Sequence, residues 1–356
     1  MGSRGATLSH LCQCLQGSLP KTIDWMSVIS LANETLITPA LRDIAERFPD
    51  EIPEDVRQYL QEIFTRNLTR NDRLAEQLAE AVAALNGNGV MPVLVKGSAM
   101  LATWPRMAMG RRLISDLDIL VSPNETDRAL DALNGLGYRI YFRAPSDAAK
   151  LYIDLKRPND VGMIDLQQGP PGHGFFYNGS GDIRQHCQLL KQNSAYIPSA
   201  TYHALMLIIH DQFQDADYWV GKIDLRHLLD LRDLATAPNG IDWQQLAGLA
   251  HGRLARNAIE TQLVTLSTLL GVDVPDSMRK RLMPRLQHRR RMLQARVPAL
   301  RHAFFLLTLF DYGNYRSEVG LNERTAEHLG ARRILPKMET ARYLLQLSRE
   351  KRVGKV

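Results

Sequence analysis

"RRLISDLDILV", residues 111–121, sets two aspartates, Asp116 and Asp118, two positions apart in an aliphatic run that follows a pair of arginines. Along a β-strand successive side chains face opposite ways, so both carboxylates project to one side while Leu117, Ile119 and Val121 point to a core. Like charges about 7 Å apart on one face repel and lose hydration unless a cation sits between them. Mg²⁺ suits that position, because it takes one or two protein carboxylates and fills its remaining sites with phosphate oxygens and water. The plainer alternative is an edge strand with solvated acids; the unbroken aliphatic run through Val121 argues against it.

A third acid strengthens the pattern. Asp165 in "MIDLQ" is flanked by aliphatics on a strand that could lie beside the first, and Asp154 in "YIDLK" is its competitor. Three carboxylates from adjacent strands can hold two metals ~3.5 to 4 Å apart, which clamp the attacking and leaving oxygens of a phosphoryl group. Asp165 is preferred because the second arm of a hairpin is the better neighbour for the central strand.

Upstream, "VLVKGSAML" at 93–101 supplies phosphate-binding chemistry. Gly97 permits close backbone approach, Ser98 offers a hydroxyl and an amide at a helix N-terminus, and Lys96 adds a point charge. Arg112, four residues before Asp116, can neutralise further phosphate oxygens. As plainer readings, Lys96 would be a strand-end cation and Arg111 and Arg112 loop solubilisers.

Outward from this centre the chain changes texture twice. Residues 22–86 read as helices, with Leu74, Leu78, Val82 and Leu85 at helical spacing and "GNG" at 87–89 as the stop. A β-rich run, a small-residue helix, a loop with Pro105 and Gly110, the opening stretch, a helix begun by "SPNETD", the strand "YRIYF" and a hairpin around a Pro-Asn-Asp turn follow. Helical periodicity returns near 199 and persists. Three parts are expected: a helical segment at 1–86 packing on the core, an α/β core at 87–198, and a helical domain at 199–356 with a basic distal part.

With 356 residues, 45% hydrophobic and 23% charged, the chain is an ordinary globular protein large enough for two domains. Its longest apolar run, "AFFLLTLF", is well short of the ~20 residues of a spanning helix, and no targeting segment opens it, so a cytoplasmic protein with no membrane contact is expected. Three cysteines, Cys12, Cys14 and Cys187, build no disulfide framework. His10, Cys12 and Cys14 lack the second half of any zinc motif. From residue 276 onward 19 Lys/Arg face 7 Asp/Glu, a net +12, which leaves −6 on residues 1–275. The stretch "RKRLMPRLQHRRRMLQARVPALRH", with Arg289, Arg290 and Arg291, would form a cationic ridge on basic C-terminal helices, a candidate nucleic-acid contact that is poor in aromatics. A solvated helix surface is the alternative. No Walker-type loop, Gly-x-Ser-x-Gly elbow, His-Glu-x-x-His or dinucleotide fingerprint is present.

Lys-Gly-Ser after a strand, a gap, Arg-x-x-Ser-Asp-x-Asp-Ile-Leu-Val, and then a hydrophobic-Asp-hydrophobic strand resemble the DNA polymerase beta-like nucleotidyltransferase superfamily. In particular they resemble its bacterial branch of uncharacterised nucleotidyltransferase-family proteins, whose motif starts with Lys-Gly between helical segments. The resemblance spans about residues 22–275, with its motif core at 94–121. It implies an α+β fold: a small mixed β-sheet nucleotidyltransferase core flanked by N-terminal helices and a C-terminal helical domain. It also implies Mg²⁺- or Mn²⁺-dependent transfer of a nucleoside monophosphate from an NTP such as ATP, with release of pyrophosphate. Metal binding falls to Asp116, Asp118 and Asp165, the last helping to deprotonate the acceptor hydroxyl; nucleotide contact falls to Lys96, Gly97, Ser98, Arg112 and Ser115. The gap between Gly97-Ser98 and Asp116 exceeds that of the superfamily's compact members but suits this branch.

The acceptor stays open among a small hydroxylated molecule, a peptide or protein side chain and an RNA 3′ end. A toxin-like tRNA 3′-end modifier and a catalytically inactive nucleotide- or partner-binding module are the rival readings. His210, Asp211, Asp224, Arg226 and Asp230 have two readings, reaching over the site or pairing adjacent helices, and His173 sits in a Gly-Pro loop nearby.

Overall fold

The computed structural model describes residues 4–144, 151–171, 176–177, 182–190, 195–300 and 354–356, with Phe304, Arg342, Leu345 and Gln346. Its α+β architecture centres on a mixed sheet of seven strands: β1 Val93–Leu94, β2 Leu117–Leu120, β3 Arg139–Arg143, β4 Tyr152–Lys156, β5 Ile164–Gln167, β6 Cys187–Leu189 and β7 Tyr196–Pro198, in the order β3-β4-β5-β2-β1-β7-β6. The strand of the two aspartates, β2, is therefore central, parallel to β5 and antiparallel to β1. All four of its residues are buried, which removes the edge-strand alternative. A strand covered on both faces reads as continuous aliphatic sequence, and that is how "LDIL" reads apart from its acid.

The hairpin read from "LYIDLKRPNDVGMIDLQQG" forms as β4 and β5. Strands β6 and β7 were not read from the sequence; at three residues each, the second ending in Pro198, they are too short to show alternation. The helical pattern that ends at "GNG" forms one helix, Glu54–Gly87, of 34 residues, about 51 Å long. It serves two cores. Val56 and Leu60 pack with the N-terminal helices Arg4–Leu15 and Trp25–Glu34 and with residues 202–278, whereas Leu74, Leu78, Val82 and Leu85 pack beneath the sheet with Leu117, Ile119 and Ile164.

The helical segment expected at 1–86 begins with Arg4–Leu15, ahead of the residue-level periodicity read from 22 onward; its Leu8, Leu11, Cys12 and Leu15 recur at helical spacing and are buried. Cys12 and Cys14 belong to that apolar packing; burial pushes their thiols up to about 12 and about 11, which suits inert protonated thiols rather than metal ligands. Among the described residues no helix is long and apolar enough to cross a membrane.

Candidate active site

The long helix builds the site from behind. Between its two apolar stretches it buries Asn67 and Asn71, one turn apart and facing the loop ahead of β2. Asn67 Nδ2 donates to Gly110 O at 2.9 Å and Arg112 O at 3.0 Å, and Asn71 Nδ2 to Met109 O and Arg112 O, both at 2.8 Å. Arg70 adds donors to Ile114 O, Ser115 O and Val161 O, and Gln77 Nε2 donates to Gly162 O at 2.8 Å. The loop that lengthens the gap between Gly97 and Asp116 is thus stitched carbonyl by carbonyl to one helix face, and β2 and β5 enter the sheet in fixed positions. Two glycines allow the approach. A Cβ on Gly97 would lie 2.7 Å from Ile114 Cγ2, and one on Gly162 would lie 3.0 Å from Ser115 O.

Strand register then aligns the acids. Asp118 on β2 pairs with Asp165 on β5, and Asp165 pairs with Asp154 on β4, so three carboxylates stand abreast on one face. Asp165 lies next to Asp118, and Asp154 one strand further out. Asp116 sits just ahead of β2 on the Asp118 side, half-buried, with its Oδ1 accepting from Ser115 Oγ at 2.9 Å. Asp118 Oδ1 accepts from Lys96 Nζ at 2.8 Å and Gln167 Nε2 at 3.0 Å. Asp165 Oδ2 accepts from Tyr152 Oη at 3.1 Å, while its Oδ1, like Asp154 Oδ1, is buried without a hydrogen-bond partner.

Burial, and then the charges of Asp118, Asp116 and Asp154, push the Asp165 carboxyl up to about 8. Its pKa is higher folded than unfolded, so the native state binds more protons between about pH 4 and pH 8, and this carboxyl's contribution to stability is lost as pH rises through that window. The metal-free protein should therefore lose thermal stability from pH 5.5 to 8.5 more steeply than its Asp165→Asn variant. Parallel melting curves of the two proteins across that range would refute the shift.

The nucleotide-contact residues separate in space. Lys96, Gly97, Arg112, Ser115, Asp116, Asp118 and Asp165 line one cleft of about 250 Å³. Lys96 holds a left-handed backbone, φ 50°, at the turn from β1 into the helix Lys96–Thr103. Ser98 is fully buried, with no hydrogen-bond partner for Oγ. Arg112 lines the cleft but is pinned: Nε and Nη2 bind the Asp230 carboxylate at 2.8 and 3.0 Å, and Nη1 donates to Leu113 O. Asp230 belongs to the helix Leu225–Thr236, so this pair ties the strand approach to the C-terminal helices.

The opposite wall comes from those helices. His210, Gln214 and Asp215 on a π-turn at His210–Gln214 and its exit, with Arg226 and His227, face the carboxylates across the cleft. Burial, then Lys96, hold the His210 imidazole well below its ordinary value and neutral. Behind it Asp211, Asp224 and His227 bring their ligand atoms within 4.8 Å of one another, all three buried. Cations of the chain already serve this group: Lys355 Nζ bonds Asp211 at 3.3 Å, Asp215 at 2.8 Å and also Asp217, and Arg226 Nη2 bonds Asp224 at 3.3 Å. Burial opposes protonation of His227, yet Asp224 and Asp211 outweigh it and raise its pKa.

The expected basic ridge is thinner than the sequence suggests. In the helix Leu282–Arg296, Arg290 and Arg291 are buried, the first donating to Trp219 O at 2.5 Å and the second to Gln262 Oε1 at 3.1 Å. Helical spacing turns 287, 290, 291 and 294 inward and leaves Arg285, Arg289 and Arg296 exposed. His173 lies outside the described residues.

A family model described as an uncharacterised nucleotidyltransferase matches residues 21–271. A crystal structure of a provisionally assigned nucleotidyltransferase from H. pylori aligns with 13% identity over 65% of this chain and 94% of that one, at a TM-score of 0.30. No curated protein matches the chain.

Proposed function

Because the chain belongs to the uncharacterised nucleotidyltransferase family, we propose that it moves a nucleoside monophosphate from an NTP to an acceptor hydroxyl and releases pyrophosphate. One observation carries this reading: Asp116, Asp118 and Asp165 gather at the centre of the sheet, with Asp154 one strand further out, and line a cleft whose other wall bears Arg226 and His210. The donor set is all oxygen, it includes buried carboxylate atoms without partners, and burial followed by the neighbouring carboxylates raises Asp165; such a cluster fits a hard divalent cation. Asp116, Asp118 and Asp165 would hold Mg²⁺, which neutralises charge on the polyphosphate and acceptor oxygens when bound.

The chain's own groups have distinct tasks. Gln167 and Lys96 fix Asp118, and Tyr152 fixes one oxygen of Asp165 and leaves the other without a hydrogen-bond partner. The acceptor oxygen attacks the α-phosphorus, its proton passes to Asp165, and the bond to the β-phosphate oxygen breaks to free pyrophosphate. Lys96 and Arg226 line the cleft with one carboxylate partner each and are the cations we assign to the polyphosphate, whereas Arg112 is held through three of its nitrogens by Asp230 and Leu113 O. Buried thiols at Cys12 and Cys14 support a reducing, cytoplasmic setting.

The test is incubation with Mg²⁺ and each α-labelled NTP in a cell extract, then separation into RNA, protein and small-molecule fractions. Label in one fraction, matched by pyrophosphate release, is the expected result. Calorimetric binding of NTP with no transfer to any fraction would establish a binding module instead.

A further inference from the structure

We propose that the aromatic edge strand of the sheet seats the acceptor, and that this acceptor is the 3′ end of a single-stranded nucleic acid, stacked on Phe142. The inference rests on the nucleotidyl-transfer reading above. All five residues of β3 are exposed, and three of them are large and apolar: Ile140 at 51%, Tyr141 at 64% and Phe142 at 47%. A sheet edge left this apolar marks a binding surface.

Register connects the edge to the chemistry. Phe142 pairs with Asp154, Asp154 with Asp165, and Asp165 with Asp118, so the Phe142 ring stands on the face of the carboxylates. It lies two strand spacings, about 10 Å, from Asp165. Its centroid is 6.2 Å from that of Tyr152, whose hydroxyl binds Asp165. A base stacked on Phe142 would bring its ribose hydroxyl toward Asp165, a span suited to one nucleoside.

Charge on this edge suits phosphates. Arg139 and Arg143 bracket the aromatics, β3 has no acid, and Lys156 on β4 places Nζ 3.7 Å above the Tyr141 ring. Rings flanked by cations are the recurring means of holding single strands, since every base has a π-face. Addition of a protein strand to the edge is disfavoured, because the register shift between Ile140 and Phe142 breaks the regular ladder such a partner needs. The helix Leu282–Arg296 is the weaker contact for a strand, with Arg290 and Arg291 turned inward.

The experiment measures fluorescence anisotropy of 5′-labelled 12-nucleotide RNA and DNA of one sequence against the full chain, without NTP, from 50 to 300 mM salt. Wild type should bind, and Phe142→Ala should bind about 10- to 100-fold more weakly, as loss of one stacked base implies. Phe142→Tyr should restore affinity. Arg143→Gln should lower the salt slope by roughly one. Calorimetric NTP·Mg²⁺ affinity and the melting temperature should not change in any of these variants, because the residues are exposed and outside the cleft. Absence of oligonucleotide binding by wild type at 50 mM salt, or equal binding by Phe142→Ala, overturns the inference while NTP binding persists. Failure of wild type to bind NTP·Mg²⁺ removes the parent reading as well.

Discussion

Replacing Asp116 and Asp118 together by alanine should abolish Mg²⁺-dependent labelling by α-labelled NTP, a loss of at least about a thousandfold, or roughly 4 kcal/mol of transition-state stabilisation. Asp118 stands on the central strand with Asp165 directly alongside, Asp116 sits just ahead of that strand, and all three line the cleft. The variant should stay folded: Asp116 is half-buried, and removal of two negative charges relieves the repulsion that, after burial, raises Asp165. Lys96 loses its carboxylate partner, so a modest stability loss is expected beside the catalytic one. Asp118→Asn, which keeps an oxygen acceptor for Lys96, separates the two effects: labelling should still collapse while the melting temperature recovers. Labelling retained in the double-alanine protein would refute the metal assignment.

The largest stability effect should come from Arg112→Met, at about 3–5 kcal/mol. Arg112 and Asp230 are both buried and joined by two hydrogen bonds, so truncation of one leaves the other charged, desolvated and unpaired. Burial works against the Arg112 charge, but Asp230 more than compensates and raises its pKa. Pairing the change with Asp230→Leu removes the orphaned carboxylate and should recover much of the loss, because an apolar pair of similar volume often replaces a buried ion pair at little cost. Denaturant midpoints of the four proteins of this cycle measure the coupling. An unchanged midpoint for Arg112→Met, with a raised KM for NTP, would restore the triphosphate role that the sequence reading gave this arginine.

That arginine shows where sequence reasoning stops. Its position four residues before Asp116 and its charge are legible, yet its partner lies 118 residues away on a helix. The acids were more legible. Alternating aliphatics around Asp116, Asp118, Asp154 and Asp165 report strand and face, and the hairpin turn between the last two fixes their antiparallel pairing. Asn67 and Asn71, which hold the loop before β2, left a signal that was passed over: two amides one turn apart, on the face that a helix otherwise fills with Leu and Phe. Buried amides in such a stripe have to find backbone partners. Strands β6 and β7, three residues each, left none.

Local pattern thus determined the helical, α/β and helical succession, the strand character of "LDILV" and the acids on one face of it, because the periods of 2 and 3.6 are properties of neighbouring residues. Only the tertiary structure decided that Asp165 stands beside Asp118, that Asp154 and Phe142 continue the same row, that Arg112 is bound by Asp230, and that Arg290 and Arg291 point inward. Each of these depends on pairing between residues far apart in the chain, and on which donors the folded protein has already engaged, quantities that no window of sequence contains.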